Sequence, residues 1–148
     1  MYIYLINTLA LIFLHYFFYE NKNKILESYF WIFTLFFLSI FIGFRYEIGG
    51  DWIHYDRFFY EYGQDESKFK DLLNFGLTYV FINKIAYYSG TQFIGVNFMS
   101  ALIFISSLAY FLKKSKNKWL ALAISFPIII VVLGMGYSRQ GLAFAFCL

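Results

Sequence analysis

"LTYVFINKIAYYS", residues 77–89, decides the architecture, because the number of membrane crossings and the side on which each loop emerges depend on whether it spans. As a helix its 13 residues reach only about 20 Å, against a hydrocarbon layer of about 30 Å. A spanning placement would also set Asn83 and Lys84 near the middle of the bilayer, where ionisable groups are expensive. Leu77, Phe81, Ile85 and Tyr88 recur at helical spacing, while Thr78, Asn83, Lys84 and Tyr87 fall on the other faces. The pattern predicts an interfacial or re-entrant helix.

The surrounding chain is apolar enough to need a membrane: 61% of its residues are hydrophobic, 26% aromatic and only 14% charged, with a mean hydropathy of +0.60. Four runs are long enough to cross, at about 1–19, 25–44, 91–112 and 119–135, and another helix starts near 141. The first run lacks the basic leading region and small-residue cleavage site of a signal peptide, so it is read as retained. Pro127 is expected to kink the fourth. The expected fold is all-α: a multi-spanning integral membrane helical bundle forming a single membrane domain over 1–148, with an outer loop at 45–90 carrying short amphipathic helices. The net charge of +3 sits in short lysine clusters rather than along one basic face, which excludes a nucleic-acid partner. Cys147 stands alone and fits no metal-ligand spacing, and no carboxylate or histidine cluster does either. Neither a metal nor a cofactor is expected. His15, single among aromatics, is assigned no role.

Lysine-bearing short loops prefer the cytoplasm, and two are present, at Lys22/Lys24 and at Lys113/Lys114/Lys116/Lys118. Two spans between them put both inside, whereas counting 77–89 as a third would put four lysines outside. The expected arrangement therefore has the N-terminus, the loop from Arg45 and the segment "GMGYSRQG", 134–141, on the outer face.

That face holds the unusual polar groups. "FRYEIGGDWIHYDRFF", residues 44–59, crowds six ionisable side chains into an aromatic chain. Gly49 and Gly50 can end the continuation of the second span, Asp51 can cap a new helix, and Trp52, Tyr55, Phe59 and Tyr62 then form one stripe. Asp51 either only caps or acts directly on a substrate, and Tyr55, one turn on, can present its hydroxyl to the same place. The stripe either packs on the membrane surface or stacks sugar faces. In "YSRQG", Ser138 is expected as an N-cap, which puts Arg139 in a first turn whose dipole repels it. Local stability does not account for that arginine. It anchors a headgroup, pairs with a loop carboxylate or serves a site, and Gln140 lies beside it.

Taken together, "FRYEIGGDWIHYDRFF", "NFGLTYVFINKIAYYSGTQFIGVNFMSALI" and "GMGYSRQGLAFAF" resemble the EpsG-like branch of the Wzy-type polysaccharide polymerases over residues about 40–148. The first motif is matched by Arg45, Gly49, Asp51 and Tyr55, with Gly50 where a small polar residue is usual; the second is matched by Arg139, Gln140, Gly141 and Ala143. The resemblance implies glycosyl transfer on the outer face of the bacterial cytoplasmic membrane, between polyprenyl-diphosphate-linked oligosaccharides, in capsule, exopolysaccharide or O-antigen synthesis. Arg45 and Arg139 would hold the departing diphosphate, Asp51 would orient or deprotonate the acceptor hydroxyl with His54 second, and Trp52, Tyr55 and Gln140 would bind substrate. Membrane lipids and other polysaccharide-assembly proteins are the implied partners. Such polymerases have more spans, and only eight residues follow Gln140, so the chain is expected to be the N-terminal part of a longer one, inactive alone. Two alternatives stay open: a lipid-linked oligosaccharide flippase or other transporter, and a multi-spanning glycosyltransferase using a polyprenyl-phosphate sugar.

Overall fold

In the computed structural model, residues 2–20, 23–50, 52–63 and 76–148 are described, and among them all regular structure is helical. Four stretches are long and apolar enough to cross a membrane: α1 (Tyr2–Glu20), α2 (Lys24–Gly43), α5 (Gln92–Leu112) and the run Lys118–Met135. Two shorter helices, α3 (Trp52–Gly63) and α4 (Leu77–Tyr88), fill the connection between α2 and α5. The chain closes on α7 (Ser138–Cys147).

The fourth span has two geometries. It begins as α6 (Lys118–Ser125) and continues as a π-helix over Phe126–Met135. The sequence reading called for a local kink at Pro127. The proline has no N–H to give, and its ring crowds the carbonyl four residues earlier; the backbone absorbs this by a widened winding distributed over ten residues.

The core is a seam where α5 packs against α2 and α7, with Leu38, Ile42, Phe104, Ile105, Leu108 and Phe126 almost wholly enclosed. Its lower end is tied by side chains from three helices. Lys118 pairs with Glu27 at 3.0 Å, Trp119 donates its indole N–H to Glu27 at 3.2 Å, and the Trp119 ring stacks on Phe18. The starts of α2 and α6 therefore lie at one end of the bundle.

The 12 residues of α4 are packed in a way that amphipathicity alone does not predict. Leu77, Phe81 and Tyr88 point outward and are 65–74% exposed, whereas Tyr79, Val80, Ile82, Asn83 and Ala86 are buried. In a protein surrounded by lipid, large apolar side chains can face outward, and small or polar ones mediate helix contact. Asn83 returns its amide N–H to the Tyr79 carbonyl at 2.7 Å.

The aromatic stripe of α3 also buries against protein. Tyr55, Phe58 and Phe59 are enclosed, Trp52 meets the Phe93 ring edge-on at 4.9 Å, and Tyr55 lies 5.5 Å from Tyr79. The expectation that this stripe lies on the membrane surface is corrected: α4 and α5 cover it. The side chain of Tyr62 lies outside what is described.

Candidate functional site

At the end of the bundle opposite Glu27 and Lys118, Arg45 leaves the last turn of α2 and turns inward. It is only 5% exposed. Its Nη1 donates to the Gly134 carbonyl at 2.6 Å, and its Nη2 donates to the Ser138 hydroxyl and, at 3.4 Å, to Asn97 Oδ1. Ser138 in turn donates to Asn97 Oδ1 at 3.3 Å. One guanidinium thus joins the exit of α2 to α5, to the end of the π-helix and to the start of α7.

The Gly134 carbonyl is offered because helical winding is interrupted at Tyr137, which adopts an extended backbone (φ −139°, ψ 80°). A planar fork can serve that carbonyl and Ser138 at once, which a point charge cannot. Burial pulls the Arg45 pKa down from the ordinary guanidinium range to about 10, so the group stays charged at neutral pH. Two glycines permit the approach. A side chain on Gly134 would stand 2.7 Å from the Phe104 ring; one on Gly49 would stand 2.8 Å from the Gly136 carbonyl, at a φ of +117° that only glycine adopts readily.

Ser138 was expected to cap α7. Tyr137 occupies the cap position with no side-chain cap bond, and the Ser138 hydroxyl is committed to Arg45 and Asn97. Arg139 does stand in the first turn, as its place in the sequence indicated. Arg139 and Gln140 are exposed and line a groove of about 400 Å³ with residues 76–79 of the α4 entrance and with Leu142, Ala143 and Phe146 of α7.

The remaining expected site residues distribute as follows. Tyr55 is buried beside Tyr79, Trp52 is half-buried against Phe93, and His54 points to the exterior. Asp51 lies outside the described residues, although α3 starts immediately after it, at Trp52. Among the described residues, no three His, Cys, Asp or Glu side chains gather as metal ligands would. His15 packs against Tyr16 and Tyr19, far along the chain from this end.

Two residues, Asn97 and Tyr79, were missed, and Ser138 was given another role. Asn97 and Ser138 are the side-chain acceptors that hold the Arg45 fork beside the Gly134 carbonyl, and Tyr79 is a groove wall only 2% exposed whose buried hydroxyl makes no well-formed hydrogen bond. Tyr79 and Asn83 are polar residues one turn apart, set away from the outward apolar stripe of α4. That spacing was the available signal.

These features define a multi-spanning helical membrane protein whose one end carries a buried arginine lock beneath an arginine-bearing groove. The match to the EpsG family, over residues 28–148, covers both the lock and the groove. The chain belongs to the EpsG family and is a membrane protein of polysaccharide biosynthesis. No curated protein and no solved structure matches it.

Proposed function

We propose that the protein is a polymerase joining polyprenyl-diphosphate-linked oligosaccharide repeat units on the outer face of the bacterial cytoplasmic membrane. The observation that carries this reading is the linkage of the two motifs: Arg45 is bonded to Ser138, and the next two residues, Arg139 and Gln140, line the groove. The groove has a cationic mouth and an apolar flank of Leu77, Leu142 and Phe146, which suits a diphosphate with its polyprenyl tail. Lys24 and the loop 113–118 stand at the opposite end, beside Glu27, and the preference of lysine loops for the cytoplasm favours an outward-facing groove.

In the reaction, the acceptor hydroxyl oxygen attacks the anomeric carbon of the donor sugar. The bond from that carbon to the diphosphate oxygen breaks, and the lipid diphosphate leaves with the electron pair. Asp51 takes the hydroxyl proton, with His54 as the second candidate. Arg139 stabilises the charge that grows on the leaving diphosphate, a contribution of roughly 3–4 kcal/mol for a preorganised donor set. Gln140 hydrogen-bonds the same group. Arg45 acts through Ser138 as a positioning residue, and Tyr55 and Trp52 hold α3, which begins directly after Asp51 in the chain. Membrane lipids surround the bundle, and other polysaccharide-assembly proteins are its partners.

Arg139→Lys in the natural protein tests this. It should reach normal membrane levels yet leave polymer strongly reduced, with lipid-linked single repeats accumulating on the outer leaflet. A wild-type polymer ladder would make Arg139 a headgroup anchor. Repeats trapped on the inner leaflet in a deletion strain would replace the polymerase by a flippase.

A further inference from the structure

Tyr79 presents an anomaly in an otherwise well-packed region. Its ring is held 5.5 Å from Tyr55 and 5.9 Å from Phe58, and its buried hydroxyl makes no well-formed hydrogen bond, although the Asn83 side chain acts on it. A phenylalanine would fill the same space without an unsatisfied donor, so packing alone favours the residue that is not there. Tyr79 is also a wall of the groove that Arg139 and Gln140 line. The start of α7 faces the same groove through those two residues, and its first-turn backbone N–H groups have no side-chain cap.

We propose that the Tyr79 hydroxyl is a substrate-contacting donor to phosphate oxygens held in the groove beside Arg139, a role that rests on the polymerase reading and names the part of the substrate bound there. The hydroxyl, the Arg139 guanidinium and the α7 N-terminus form three kinds of donor around one anion. Burial holds the phenol well above its ordinary pKa, outweighing the Asn83 side chain and the Arg45 and Arg139 charges, which pull it down. It therefore remains a proton-bearing donor throughout the physiological range.

The test is Tyr79→Phe in the purified natural protein, with farnesyl diphosphate, inorganic pyrophosphate and farnesol as probes in a thermal-shift titration. Without probe, the variant should unfold at the wild-type temperature or higher, because only a hydroxyl without a well-formed hydrogen bond has been removed. Its affinity for farnesyl diphosphate should fall roughly ten- to a hundredfold, the range for one hydrogen bond to a charged group, while farnesol binding is unchanged. An equal loss for pyrophosphate would identify the diphosphate alone as the ligand; a loss confined to farnesyl diphosphate would identify a lipid headgroup. Unchanged affinity for both anions, no binding of either by wild type, or a lower unfolding temperature without probe would overturn the proposal. The polymerase reading is judged separately, by whether a deletion strain accumulates outer-leaflet lipid-linked repeats.

Discussion

Replacing Arg45 by Lys would keep the charge and remove the fork that reaches Gly134 and Ser138 together. A lysine ammonium can approach one of those acceptors, leaving the other buried and without its donor. The expected cost is on the order of 2–3 kcal/mol, read as a lower unfolding midpoint in detergent. Arg139→Lys, at an exposed position, should leave that midpoint in place while polymer output falls. An unchanged midpoint for Arg45→Lys would show that its bonds do not hold this end together. Both arginines were legible as candidates from the sequence, but their separate roles were not. Which arginine is enclosed depends on where the π-helix ends and on the extended backbone at Tyr137, and neither is written in residue type or spacing.

Among the elements, the π-helical run Phe126–Met135 sets the direction of the Gly134 carbonyl, and Pro127 stands at its start. Pro127→Ala restores an N–H and removes the ring, so ordinary α winding becomes available. That change turns the residues beyond it relative to α5 and carries Gly134 away from Arg45. Membrane insertion should persist, since the run stays long and apolar, while polymer output falls severalfold; output equal to wild type would show that the wide winding is incidental. Spans were easy to read because length and apolarity are summed over about twenty residues. The packing face of α4 was harder. The periodicity of Leu77, Phe81 and Ile85 was real, but in lipid such a stripe marks the outside as readily as the core. Ser138 was misread for a related reason: a serine at a helix start is a good cap until a buried guanidinium competes for its oxygen.

For the whole molecule, the two ends of the bundle differ in chemistry. One is closed by Lys118, Glu27 and Trp119, the other by Arg45, Asn97 and Ser138. In the orientation proposed from the lysine loops, the first end faces the cytoplasm. Single cysteines at Gln64 and Asn117, in a Cys147→Ser background, should react oppositely with a membrane-impermeant thiol reagent in intact cells, Gln64 labelling and Asn117 not. The reverse pattern would invert the orientation and with it the outer-face reaction.

The Arg45 lock also has a history within each molecule's synthesis. Its two partners, Arg45 and Ser138, stand 93 residues apart, and a ribosome adding roughly 5–20 residues per second needs about 5–20 s to travel between them. Late in that interval the guanidinium has left the translation machinery, and Ser138 has not yet been made. A charge that will end up enclosed must first wait in hydrated surroundings at the membrane surface, and this end can close only once Ser138 has followed it out.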